Sequence, residues 1–175
     1  MQQVGAWLVE PDVAWKEAFL AQVADFETVG ERYGHYARAK QDFAAFVRGL
    51  RRQAQGIGLP EGFVPMTSYW LVDSSGAVLG ESRLRHYLSP ALEVEGGHIG
   101  YAIRPSARRK GYGTLILALT LEKARARGLK RVMVTCDTDN IGSARIIQKN
   151  GGVLAGSAIS PRSGKPVSQY WIDLV

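Results

Sequence analysis

Six consecutive residues, Arg108-Arg109-Lys110-Gly111-Tyr112-Gly113, join three cations to two glycines. Without a Cβ, Gly111 and Gly113 let the main chain turn tightly and come close to a ligand. An apolar segment, His98 to Ile103, precedes the run, and another, Thr114 to Leu121, follows it. The order is therefore strand, basic glycine loop, helix. Loop amides pointing outward at a helix N-terminus, where the helix dipole adds partial positive charge, make a cradle for phosphate. A dinucleotide fingerprint needs a third glycine where Ile116 stands, and a P-loop needs Gly-Lys in that order with a glycine in place of Ser106. Both fail. Arg-x-x-Gly-x-Gly between a strand and a helix remains, either as a diphosphate cradle or as an ordinary turn whose glycines satisfy geometry.

The elements around this loop follow from pattern. Arg127-Gly128-Leu129 stops the helix with a basic last turn and a glycine beyond it. Arg131 to Asp137 is β-branched and apolar, as a buried strand should be. Asp139-Asn140 opens a second helix, Ile141 to Lys149, which Asn150-Gly151-Gly152 ends. Strands are expected at Val153–Ala155 and Gln169–Leu174, joined by a turn-rich link from Ser160 to Lys165. Upstream, Asp12 is a suitable N-cap for a helix whose inner face carries Trp15, Phe19, Val23 and Phe26. A second helix spans Gln41 to Gln55 with Phe43, Phe46, Val47 and Leu50 inward, and Glu31 to Tyr36 reads as a linker. Ser68–Asp73 and Val78–Leu88 form a hairpin turned by Asp73-Ser74-Ser75-Gly76, and Ser89-Pro90 ends it.

The glycine loop resembles the pyrophosphate loop of the GNAT superfamily of N-acetyltransferases, which binds acetyl-coenzyme A. Asn140, Ser143 and Lys149-Asn150-Gly151 match a second pattern of that superfamily: a strand ending in Asn, a small residue three positions on, and a closing Lys-x-Gly. Gly97 to Ser106, Thr135-Cys136-Asp137, Lys149 to Gly152, Tyr170-Trp171-Ile172, Leu59 to Pro65 and Tyr69 to Asp73 are similar to one branch of predicted bacterial acetyltransferases. The resemblance covers nearly the whole chain. It implies one α/β (α+β) domain over residues 1–175, a mixed, mainly antiparallel central sheet with helices on both sides.

The resemblance also implies roles. The backbone from Tyr101 to Arg104 would hold the pantetheine arm, with the Ile103 N–H near the thioester carbonyl. Main-chain amides from Arg109 through Lys110, Gly111, Tyr112 and Gly113 to Thr114 would hold the diphosphate. Arg104, Arg108, Arg109 and Lys110 would surround it with positive charge. Asn140 and Ser143 would bond the cofactor arm. Many members carry a glutamate where His98 stands, and histidine titrates near neutral pH, so His98 is the expected base and Glu81 the runner-up. The tyrosine that often protonates the leaving thiolate is replaced by Ile147, leaving Tyr101, Tyr170 or water for that task, or a thiolate that departs unassisted. The region between the first two helices usually helps form the acceptor site. Glu81, Glu93 and Glu95 hint at a polycationic amine, although Glu93 and Glu95 fall in a glycine-flanked loop read as mobile.

Composition narrows the alternatives. The chain has 175 residues and a net charge of +6. That surplus has a local explanation in the loop cations, and no RNA- or DNA-binding signature accompanies it. One cysteine, Cys136, excludes an internal disulfide framework, suits a reducing cytoplasm and reads as a small buried hydrophobe. It cannot make a zinc site with three scattered histidines, so no metal is expected. Met1-Gln2-Gln3-Val4 lacks the start of a secretory signal, and no apolar stretch is long enough for a membrane span. The reading is therefore a cytoplasmic acetyl-coenzyme A-dependent N-acetyltransferase acting on a primary amine, with a homodimer as a further expectation. A non-catalytic acyl-coenzyme A sensor is the alternative, and a nucleic-acid-binding protein ranks last.

Overall fold

The computed structural model describes residues 5–175. Met1 to Val4, where the absence of a secretory signal was read, lie outside the described residues. Strands β1 (Ala6–Val9), β2 (Met66–Asp73), β3 (Val78–Arg85) and β4 (Ile99–Ile103) form an antiparallel four-stranded sheet in that order. Strands β5 (Arg131–Asp137), β6 (Val153–Ile159) and β7 (Pro166–Asp173) form a second sheet, ordered β5-β7-β6. The β2–β3 turn is held by Asp73, whose Oδ1 accepts from the Ser75 and Ala77 N–H groups and from the Ser75 hydroxyl. The helix α5 (Tyr112–Ala126) carries the chain from β4 across to β5.

Helices cover both faces, as expected. On one side lie α1 (Lys16–Thr28), α2 (Gly34–Gln41) and α3 (Phe43–Ala54). Phe19, Val23 and Phe26 are fully buried there with Trp70, Val72 and Val78, so the predicted aromatic stripe is core. Each such side chain contributes roughly 1.5–3 kcal/mol of burial. On the other side α5 buries Ile116, Leu117, Leu121 and Ala124. The helix α6 (Ile141–Lys149) follows β5.

Four details differ from the sequence expectation. The linker expected over Glu31–Tyr36 runs into α2, because Asp42 is the true break: it is extended, and its carboxylate caps α3 at the Ala45 N–H, 2.9 Å away. Ser89-Pro90 starts a short helix, α4 (Pro90–Val94), with Ser89 as its cap. The last two strands are longer than read, because β6 gains its partners from β7 rather than from its own alternation. β1 was missed outright: four residues carry little pattern, and pairing with β2 makes the strand.

A pair of hydrogen bonds clasps the two sheets together at the start of β4. The His98 N–H donates to the Met133 carbonyl at 2.8 Å, and the Met133 N–H donates to His98 Nδ1 at 2.9 Å. Beyond that clasp no backbone bond joins β4 to β5 among the described residues. The antiparallel alternation turns the N–H groups of Tyr101 and Ile103 away from β3, toward the unpaired edge of β4. The fold thus holds open a slot beside β4, with the glycine loop at its end.

Candidate active site

The loop after β4 is built from main chain more than from cations. Arg104 donates to Asp25 at 2.8 Å and to the Val78 and Ala21 carbonyls. Ser106 also donates to Asp25, through its hydroxyl at 2.6 Å and its N–H at 3.1 Å. Burial raises the Asp25 pKa, but the bonds from Arg104 and Ser106 outweigh it and hold the carboxyl below its usual range. Arg108 forms a two-pronged ion pair with Glu31 at 2.9 and 2.7 Å and donates from Nε to the Ile103 carbonyl. Arg104 and Arg108 therefore anchor the loop to α1 and the turn after it. They do not ring a phosphate site, which corrects the expectation for these two. Lys110 bonds the Ser106 carbonyl, and Arg109 is exposed.

What faces outward is a run of amides. Arg109 and Gly111 are left-handed, with φ of 59° and 86°. No acceptor among the described residues takes the N–H groups of Arg109 through Thr114, and Gly111 caps α5 without any side-chain bond. The first N–H groups of any helix lack intrahelical acceptors; here they lie at an exposed end, and with left-handed Arg109 and Gly111 they form a nest at a positive helix terminus. Gly113 has a second duty, since a Cβ there would stand 2.5 Å from Ile146 Cδ1 and force that side chain of α6 to turn aside.

Beside the slot, Asn140 Oδ1 caps α6 at the Ser143 N–H, 3.0 Å away, so its carbonyl is engaged and its amide NH2 is the part able to bond a ligand. The Ser143 hydroxyl lies 2.8 Å from the Tyr101 hydroxyl. Burial pushes the Tyr101 pKa up to about 12, so the phenol keeps its proton at neutral pH. Burial likewise raises the Cys136 thiol, consistent with a half-buried, unreactive side chain. Ile147 is fully buried among Leu117, Val134 and Tyr170, so the position that often carries an acid is here a core position.

The two base candidates fare differently. His98 sits in the clasp, 6% exposed, with its Nδ1 lone pair already accepting from Met133. Burial, and then the Arg85 charge, push its pKa down to about 4 from 6.5. A ring with its one lone pair committed cannot also take a substrate proton, so His98 is a structural clasp. The unfolded chain takes up the proton first as pH falls, so this stabilisation is whole above pH 6.5 and is lost toward pH 4, by about 3 kcal/mol. His98→Gln should flatten the difference in urea stability between pH 7 and pH 4.5 by roughly 2 kcal/mol relative to the parent. An unchanged pH dependence would show that His98 titrates freely.

Glu81 occupies β3 on the face toward α1–α3, buried to 5% exposure. Its Oε1 lies 2.8 Å from His35 Nε2, and its Oε2 accepts from Gln22 Nε2 at 3.4 Å. His35 was not singled out in the sequence; its one signal was its place in the aromatic segment between the first helices. Tyr101 pairs with Ser82, so it projects to the face opposite Glu81. The structure thus separates the base candidate and the hydroxyl onto the two faces of one sheet. Glu81 and His35 open into a cleft of about 1100 Å³ between α2, α3, β2, β3 and the 57–66 segment. Glu93 and Glu95 do not line it, and Glu95 is tied to Ser160 and Arg162 rather than mobile, so of the three glutamates that hint at a polycation only Glu81 reaches the cleft. No group of three or more potential metal ligands occurs among the described residues.

Comparison with curated proteins gave no match. Among solved structures, the chain is similar to Mycobacterium smegmatis RimJ in complex with CoA-disulfide, with 18% identity, a TM-score of 0.74, and coverage of 97% of this chain and 83% of that one. It is similar to yncA, a putative acetyltransferase from Salmonella typhimurium with its cofactor acetyl-CoA, at 14% identity, TM-score 0.65 and coverage of 98% and 95%. It is also similar to a chimera of the spermidine N-acetyltransferase SpeG from Vibrio cholerae and hSSAT, at 10% identity, TM-score 0.66 and coverage of 97% and 95%. At these identities the likeness speaks for the fold. The model of the acetyltransferase (GNAT) domain matches residues 7–153, which include the slot, the amide nest and Glu81, and the chain belongs to that family.

Proposed function

We propose that this acetyltransferase takes its acetyl group from acetyl-coenzyme A and passes it to a primary amine by direct attack on the thioester. The observation that carries this reading is the run of unaccepted amides from Arg109 to Thr114 at the mouth of the open β4 edge. These amides suit a diphosphate, the outward N–H groups of Tyr101 and Ile103 suit an extended amide-bearing arm, and the Asn140 amide stands across the slot. Structural neighbours that hold acetyl-CoA or CoA-disulfide support the same donor. The donor would supply a thioester carbon and a thiolate leaving group.

This chain's residues would then handle protons and charge. The Ile103 N–H polarises the carbonyl. Glu81, relayed by His35, takes a proton from the ammonium so that the nitrogen lone pair is free. As the C–N bond forms and the C–S bond breaks, the Tyr101 hydroxyl gives its proton to sulfur and is reprotonated from solvent, while the nitrogen gives up its second proton to water. One proton leaves to solvent overall. Gln22 Oε1 and the Tyr36 hydroxyl are buried on this side without partners, and both suit an amine. The core position of Ile147 favours a second reading, a sensor that binds the cofactor without turnover. The proposal treats residues 1–175 as one domain at work in the cytoplasm, where Cys136 stays reduced. A homodimer belongs to it too, on the strength of Val153, Leu154 and Ile159 exposed along the edge strand β6; a monomer in sedimentation would remove that part. No described helix is long and apolar enough to cross a membrane.

Thermal unfolding tests the donor. At a hundredfold excess over Kd a ligand adds about 2.7 kcal/mol, roughly 5–10 °C for a chain of this size. Acetyl-coenzyme A and coenzyme A should both give such a shift and NAD none. Thiol release with an amine separates the enzyme from the sensor. No shift with either coenzyme A species would leave the nest as a turn only.

A further inference from the structure

Alternation along β3 turns Glu81, Arg83 and Arg85 to the same face, and all three line the cleft. Among the described residues three arginines are partly buried, Arg83, Arg85 and Arg104, and the others are exposed. Arg51, Arg104, Arg108 and Arg162 each bond a carboxylate: Asp12, Asp25, Glu31 and Glu95. Arg83 and Arg85 have no carboxylate partner among the described residues, although both are partly buried. Arg83 Nε is buried without any hydrogen-bond partner. Arg85 reaches only the Gly96 and Gly97 carbonyls, at 3.1 and 3.2 Å. Burial, and after it the charge of Arg83, hold the Arg85 pKa down to about 10. Among the described residues, neither arginine therefore has a carboxylate in contact with it.

The rest of the cleft does not supply one. Arg38 and Arg52 add positive charge at its rim. Its two carboxylates are committed, Glu81 to His35 and Gln22 and Asp42 to the cap of α3. A partly buried cation without a counter-charge is costly, and an anion that enters relieves it. A polyamine would meet the opposite: repulsion from Arg83 and Arg85 next to the one carboxylate meant for its amine. Arg83 stands two residues from Glu81, about 7 Å along the strand. An anion bound there would leave an amine a few bonds away within reach of Glu81. The apolar wall, with Phe46, Leu50, Trp70 and Val64, suits the remaining carbon skeleton.

We infer that the acceptor is a small amine that also carries an anionic group, a carboxylate or a phosphate, which Arg83 and Arg85 hold while Glu81 receives the proton of the amine. The inference rests on the acetyl transfer proposed above for this same site. It runs against the polycation at which Glu81, Glu93 and Glu95 hint.

Matched amines test it. Thiol release from acetyl-coenzyme A is measured with tyrosine against tyramine, phosphoethanolamine against ethanolamine, and spermidine, using the parent and Arg83→Gln. The anionic member of at least one pair should show kcat/KM higher by about tenfold or more, as a charge-assisted contact predicts. The winning pair tells carboxylate from phosphate. In Arg83→Gln the ratio should fall toward one, while the acetyl-coenzyme A shift in Tm stays as in the parent. Preference for the neutral amines or for spermidine would overturn the inference, as would a ratio that Arg83→Gln leaves intact. Should no amine turn over, calorimetry with coenzyme A present decides. N-acetyltyrosine or N-acetylphosphoethanolamine should bind more tightly than its uncharged counterpart, and equal or absent binding would overturn the inference. Absence of any acetyl-coenzyme A shift in the parent is a different failure, that of the donor reading itself.

Discussion

Gly111→Val should abolish stabilisation by acetyl-coenzyme A. Gly111 is left-handed at φ 86° and has open space around its Cα. Two effects of the substitution must be told apart. A non-glycine residue in this conformation costs roughly 1–2 kcal/mol, and a β-branched one more, so the loop either strains or flips its amides inward. The added side chain would also stand where the nest opens, so a diphosphate could not reach the N–H groups on either side. Loss of several charge-assisted contacts to one ligand, each worth about 1.5–3 kcal/mol, implies affinity lower by a hundredfold or more. Gly111→Asn separates the effects, because asparagine tolerates the left-handed region but still fills the opening. Its apo Tm should lie near the parent value and its response to the cofactor should be lost. A full cofactor shift in the valine variant would refute the nest. A full shift in the asparagine variant alone would reduce the role of Gly111 to backbone geometry.

The contrast between nest and cleft shows what a sequence can carry. The nest depends on backbone conformation, which glycine spacing and the strand-to-helix switch encode within six residues. Asn140 and Ser143 were legible for the same reason, since a cap and its target are three positions apart. The fates of Arg104 and Arg108 were not. Their carboxylates, Asp25 and Glu31, are 79 and 77 residues away, and only the packing of α1 against the loop brings them together. His98 misled because its chemistry is set by one backbone N–H from β5. An exposed histidine at that strand end could be a base; one whose lone pair clasps Met133 cannot. The pairing of His35 with Glu81 spans 46 residues and two layers. Strand alternation could have placed Glu81, Arg83 and Arg85 on one face, but only the register with β2 shows that this face fronts a cleft rather than the core under α5.

The base assignment is the second large effect. Glu81→Gln keeps the shape of the side chain and removes its charge. A general base positioned at a reacting group contributes about 10²–10⁴-fold, so kcat/KM at neutral pH should fall by that order. The response to acetyl-coenzyme A should not change, because the Glu81 side chain faces the cleft and the nest is built from main-chain amides of the loop after β4. The pH profile adds a criterion that a merely structural role would not meet. At high pH the amine is neutral before it binds and no longer needs Glu81, so the gap between variant and parent should narrow. A structural lesion would leave a gap that does not depend on pH. His35→Gln should cost less, because Glu81 would retain its carboxylate and lose only its relay. The double variant should be little worse than Glu81→Gln alone, since residues that act as a unit are not additive. Undiminished turnover in Glu81→Gln would move the base elsewhere. With His98 closed by its bond to Met133, the attacking nitrogen would then have to lose its proton directly to water, and the buried pair of Glu81 and His35 would be a scaffold for α2.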